Sequence, residues 1–90
     1  MDFKFSEHGW EDFEYWIDTD TDVADKIRIL LKEIKATSFK ATGKPEPLKY
    51  NLIGYWSKRI TSEHRLVYKI DDKKGVEQTC VVIQCRYHHD

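Results

Sequence analysis

The chain has 90 residues, of which 40% are hydrophobic, and a formal net charge of -1; one core is about all that this length buries, so a second domain is excluded. No apolar run approaches the roughly 20 residues of a membrane span, and the start Met1-Asp2-Phe3-Lys4-Phe5 has neither the basic lead nor the apolar stretch of a signal peptide, so a cytoplasmic protein is expected. The near-neutral total hides three blocks: residues 1–39 are net -5, residues 40–69 net +5 and residues 70–90 net -1.

Phe3 and Phe5 alternate with polar neighbours, as in a short opening strand, and Ser6 stands where a helix N-cap is wanted. Trp10, Phe13 and Trp16/Ile17 then recur at helical spacing, and Glu7, Glu11, Asp12 and Glu14 favour the N-terminal half of that helix. These aromatic residues read as core rather than as base-stacking platforms. Thr19-Asp20-Thr21-Asp22 interrupts the period, and Asp22 is the expected cap of a second helix carrying Val23, Ile27, Leu30/Leu31 and Ile34, with Lys32 and Lys35 in its last turns. The two helices form a hairpin.

From Thr37 to Tyr50 the period stops, and Gly43, Pro45 and Pro47 predict an irregular loop over 43–49, stiffened on both sides of Glu46. Strands are predicted over Tyr55–Ile60, Arg65–Ile70 and Thr79–Tyr87, with turns near Ser62 and at 71–75, which makes a meander. The expected fold is α+β: an N-terminal strand and a helical hairpin packed on one face of an antiparallel sheet, the other face being free for function. By alternation Trp56, Ile60, Leu66, Tyr68 and Ile70 are core, leaving Tyr55, Ser57, Arg59, Arg65, Val67 and Lys69 on the free face. Cys80 and Cys85, an odd number of residues apart on one strand, are expected on opposite faces about 16 Å apart along it, which disfavours a disulfide and suits a reducing compartment.

The basic block centres on Lys44, Lys49, Lys58, Arg59, Arg65 and Lys69, interleaved with Tyr50, Tyr55, Trp56 and Tyr68. Such an island attracts a polyanion locally, and its aromatic rings offer stacking surfaces to bases. A turn over Thr61–Glu63 sets Arg59 directly opposite Arg65. Two like charges facing each other across a ladder are unfavourable without an anion between them, a conflict of the kind found at functional sites.

Lys44-Pro45-Glu46-Pro47-Leu48-Lys49, then Asn51-Leu52, Gly54, Trp56-Ser57-Lys58-Arg59-Ile60, then Glu63-His64-Arg65-Leu66-Val67-Tyr68, and finally Cys85-Arg86-Tyr87-His88 resemble the Txe/YoeB toxins of the RelE superfamily. Ser6-Glu7, Trp10, Asp12 and Tyr15-Trp16 extend the resemblance over nearly the whole chain. It implies the RelE-like microbial RNase fold and the toxin of a type II toxin-antitoxin pair, an endoribonuclease that cuts mRNA in the ribosomal A site without a metal or other cofactor. Position by position, it puts the general base on Glu46, the transition-state cation on Arg65, the general acid on His88 and phosphate contacts on Lys49 and Arg59. Lys44, Tyr55 and His89 complete the expected RNA-binding set. The implied partners are a YefM/Axe-type antitoxin, the 70S ribosome with its mRNA and, through the antitoxin complex, operator DNA, with room for a homodimer and no role for a membrane.

Three departures accompany the resemblance. His89 followed by Asp90 replaces the family's usual terminal Tyr, Lys58 stands where Arg is common, and the low net charge leaves affinity to the local island. A zinc site from Cys85, His88 and His89 has poor strand geometry and too few ligands. His8 and His64 read as structural or surface residues. The rival to an active nuclease is a weak or inactive member acting mainly as an antitoxin-binding module, against which Glu46, Arg65 and His88 stand together. A DNA-binding regulator needs a recognition helix, whereas the two helices taken together carry an acidic excess.

Overall fold

A computed structural model of the chain describes residues 1–37, 45–72 and 77–87. Strand β1 (Asp2–Phe5) leads through Ser6 into helix α1 (Glu7–Thr19), and the Ser6 hydroxyl accepts the Gly9 N–H at 3.0 Å as the expected cap. Helix α2 (Thr21–Thr37) follows after one residue. That residue, Asp20, serves both helices: its N–H donates to the Trp16 carbonyl at 2.8 Å, and its Oδ1 accepts from Asp22 N and Val23 N at 3.2 and 3.3 Å. The cap expected of Asp22 is therefore made by Asp20, because the link is shorter than the Thr/Asp run suggests. Asp22 lies in the first turn, where its charge meets the positive helix end.

Beyond α2 come β2 (Glu46–Pro47), a 3₁₀ turn (Tyr50–Leu52), β3 (Trp56–Arg59), β4 (Arg65–Asp71) and β5 (Thr79–Gln84), in the sheet order β1-β5-β4-β3-β2. The meander β3-β4-β5 forms as expected. The sheet, however, is mixed: β1 runs parallel to β5 with Phe3 beside Cys80. A parallel neighbour needs a long crossover, and here everything between β1 and β5 supplies it. Glu46-Pro47, expected in an irregular loop, instead pairs antiparallel with β3, Glu46 opposite Ser57 and Pro47 opposite Trp56. An edge strand tolerates proline because nothing beyond it requires the missing N–H.

The core between helices and sheet contains Trp16, Ile27, Leu30, Ile34, Ile60, Leu66, Tyr68, Cys80, Val82 and Cys85, with Trp56 and Ile70 partly covered. Trp10, expected in this core, is 45% exposed and lies edge-on to Phe5 at 5.6 Å. Cys80 and Cys85 share the core rather than opposite faces. Val67 pairs with Gln84 while Tyr68 pairs with Val82, so Ile83 is an extra residue on β5. A bulge of one residue restores even parity across five positions. Burial pushes both thiols up to about 12, so they are neutral packing groups.

Candidate active site on the open face of the sheet

Cross-strand register builds the site. Glu46 stands opposite Ser57, Ser57 opposite Val67 and Val67 opposite Gln84, so one row of side chains crosses four strands on the face away from the helices. One step along the strands, Arg59 stands opposite Arg65, as the turn length predicts. On the other flank the Lys69 ammonium lies 5.7 Å from the centre of the Tyr55 ring. Strand spacing puts the Glu46 and Arg65 backbones roughly 12 Å apart, within the joint reach of a carboxylate and a guanidinium converging on one group.

This face is not bare, as the alternation implied. Val67 is fully buried and Ser57 nearly so, yet Val67 is no part of the core beneath the helices. They make a packed floor between Glu46 on one side and the arginines on another. Among the described residues neither arginine pairs with a carboxylate. Arg65 Nη1 reaches the Thr61 carbonyl at 3.4 Å, which turns the half-buried guanidinium toward its own hairpin turn, while Arg59 is exposed. The result is uncompensated positive charge beside an exposed carboxylate. Lys49 is exposed where the 3₁₀ turn begins, and its carbonyl accepts the Leu52 N–H.

Lys58 does not belong to this site. Its side chain is 2% exposed on the helix face, with Nζ 3.4 Å from Glu33 Oε2 of α2. Strand alternation separates it from Arg59, so its charge adds nothing to the open face. Lys44, His88 and His89 lie outside the described residues.

The chain leading to His88 is held from three directions. Gly9 packs so close to β5 that a Cβ there would stand 2.4 Å from the Val82 carbonyl oxygen, and the Ser6 N–H donates to that oxygen at 2.9 Å. The buried Asp12 carboxylate accepts the Cys85 N–H at 3.1 Å, while the Trp16 indole donates to the Cys85 carbonyl at 2.7 Å. His64 Nδ1 accepts the Tyr87 N–H at 2.6 Å, and the Arg65 N–H donates to the Tyr87 carbonyl at 2.9 Å. Tyr87 has φ 61°, a left-handed conformation that a non-glycine residue keeps only when its surroundings impose it. Asp12, Trp16 and His64 are legible in the sequence as residues, but not as the holders of this segment, because their partners are backbone groups up to 73 positions away.

Similarity to known proteins falls in one group. A family model described as a YoeB-like toxin of bacterial type II toxin-antitoxin systems matches residues 5–89. The toxin YoeB of Escherichia coli (strain K12) is 46% identical over 89 residues, spanning 99% of this chain and all of that protein. The solved YoeB/ParE toxin from Agrobacterium tumefaciens superposes with a TM-score of 0.89 at 44% identity, over 99% of this chain and all of that one. YoeB from Staphylococcus aureus, solved in a heterotetrameric YoeB-YefM toxin-antitoxin complex and as a dimer, gives TM-scores of 0.83 and 0.84 at 40% identity, over 99% of this chain and 98% of each of those.

Proposed function

The chain belongs to the YoeB-like toxins of bacterial type II toxin-antitoxin systems, and from that premise we propose that it is a metal-independent endoribonuclease that cleaves mRNA in the ribosomal A site and so stops translation. The observation that carries this reading is the register that sets Arg59 against Arg65 one step from the row containing Glu46. Unpaired guanidinium groups beside a carboxylate suit a phosphodiester that brings its own negative charge and needs a proton removed.

Cleavage by the neighbouring 2'-OH requires three things: a base for that proton, positive charge for the phosphorane and an acid for the departing oxygen. Glu46 takes the 2'-OH proton as the 2'-oxygen bonds to phosphorus. Arg65 stabilises the charge that develops on the phosphoryl oxygens, with Arg59 and Lys49 holding the phosphate. As the bond from phosphorus to O5' breaks, His88 gives its proton to O5', leaving a 2',3'-cyclic phosphate and a 5'-hydroxyl. Tyr55, Lys44 and His89 contact the flanking RNA. The packed floor of Val67 and Ser57 supports the reading by keeping the reacting groups on a firm surface.

By analogy with the S. aureus complex and dimer, a YefM-type antitoxin and a second copy of the chain are the proposed protein partners, operator DNA being reached through the antitoxin complex. The ribosome and mRNA follow from the chemistry, and the place of action is the cytoplasm. The test is incubation of the purified protein with programmed 70S ribosomes and mapping of mRNA ends. A cut within the A-site codon ending in a cyclic phosphate is expected. A folded protein that binds antitoxin but leaves mRNA whole would make it an antitoxin-binding module instead.

A further inference from the structure

We infer that His64 is a positioning residue for the C-terminal segment and holds it only while its imidazole is neutral. A backbone N–H only donates, so the Nδ1 that accepts from Tyr87 N at 2.6 Å carries a lone pair and the ring proton is on Nε2. The ring is fixed for this task. Its edge meets Trp16 at 4.7 Å between centroids, and the His64 N–H donates to the Thr61 hydroxyl at 3.2 Å. The His64 carbonyl accepts from Ile60 and Thr61, tying the residue into the turn that joins the two arginines.

Two consecutive residues, His64 through its side chain and Arg65 through its N–H, thus grip both polar groups of the Tyr87 residue in its left-handed conformation. The residue after Tyr87 is His88, the proposed acid, so a fault here displaces the acid relative to Arg65. This consequence rests on the proposed cleavage; the grip itself does not. Protonation turns Nδ1 into a donor facing a donor, and the bond is lost. The titratable and charged groups on the elements packed around the ring are Glu7, His8, Glu11, Asp12, Glu14, Tyr15 and Asp18 of α1, Glu63 and Arg65 beside it in the chain, and Cys85, Arg86 and Tyr87 of the C-terminal segment. Asp12 is engaged with Cys85 N, and Arg86 stacks on Tyr15 with its guanidinium carbon 3.6 Å from the ring centre.

Asparagine places an amide oxygen where Nδ1 is but carries no titrating proton, which makes His64→Asn the variant that separates acceptor from charge. In amide exchange followed by NMR at pH 8 and pH 6, protonation of the His64 ring should cost the wild-type Tyr87 N–H about 10-fold of its protection. His64→Asn should keep its protection at both values. On programmed ribosomes, His64→Leu should slow single-turnover cleavage about 100-fold without changing ribosome binding. His64→Asn should stay within about 3-fold of wild type at pH 8 and gain on it at pH 6; taking the ratio cancels the requirement for a protonated His88. A Tyr87 amide indifferent to titration of the ring, or equal impairment by Asn and Leu, would overturn the inference. A wild type that cuts no mRNA would instead sink the proposed function, while the exchange measurement would still decide the grip.

Discussion

Lys58 and Arg59 are adjacent in β3, and they meet opposite conditions. Lys58 points under α2, is almost wholly enclosed and has Glu33 as its partner; Arg59 points the other way, is exposed and faces another arginine. The two sides of the same strands therefore obey different rules. On the helix side charge is neutralised and apolar groups fill the space, which stabilises the fold. On the open side like charges are left opposed and a carboxylate is left exposed beside them, which costs a little stability and leaves the surface ready for an anion. The proposed function uses this open face, and the floor of Val67 and Ser57 lets that face be rigid without being part of the main core.

The largest expected effect breaks the open face without touching the other. Glu46→Gln should lower single-turnover cleavage roughly 100- to 10,000-fold while the melting temperature stays put, since the edge-strand pairing uses backbone groups alone. A folded Glu46→Gln protein that cuts at the wild-type rate would remove Glu46 from the chemistry.

The neighbouring pair gives the sharpest contrast. Lys58→Ala should destabilise the protein by about 1–3 kcal/mol, through lost packing and the lost contact with Glu33, with cleavage by the folded fraction retained. Arg59→Ala should do the reverse, weakening substrate binding and leaving chemical denaturation midpoints within experimental scatter. If the two variants exchanged these phenotypes, the assignment of faces would be wrong.

On the helix side, Gly9→Ala drives a methyl group into the Val82 carbonyl, and a loss of about 1–3 kcal/mol in urea unfolding is expected. Smaller still is Arg65→Ala: relief of repulsion from Arg59 offsets the lost contact with Thr61, so stability should change by no more than about 0.5 kcal/mol although activity falls. A clear drop in melting temperature would make Arg65 a structural residue first. The buried thiols provide a pH counterpart. Their folded pKa values, about 12 against an ordinary value of 9.0, are raised, so the stability they contribute is complete below pH 9 and drains away as pH climbs toward 12. Replacing both cysteines with alanine should flatten that alkaline limb in urea titrations, and an unaltered limb would assign it to other groups.

Much of this arrangement is written locally. Helical spacing from Trp10 to Ile34, the Ser6 cap and the short turn after Ile60 are decided by neighbours in the chain, so the helical hairpin, the meander and the opposition of Arg59 and Arg65 are legible in the order of residues alone. The likeness of the Lys44–Lys49, Trp56–Ile60, Glu63–Tyr68 and Cys85–His88 segments to one toxin family is legible too, and the full-length relatives bear it out. Lys58, read from the sequence as part of the basic block, lies instead under α2 beside Glu33, a contact that only the packed layers create.

Other features depend on groups far apart in the chain. The parallel seat of β1 beside β5 depends on where the helical layer leaves an edge, and the single extra residue at Ile83 has no glycine or proline to announce it, although it decides which way Cys85 faces. The grip on the C-terminal segment belongs here as well: Asp12, Trp16 and His64 bind backbone N–H and carbonyl groups of Cys85 and Tyr87, groups that nearly every residue carries and that no side-chain pattern can distinguish. Periodicity and turn chemistry act over a few residues and so determine the elements and one face of the site. Bulges, parallel pairing and side-chain bonds to distant backbone come into being only when the layers close, and they hold the segment leading to His88 beside Arg65.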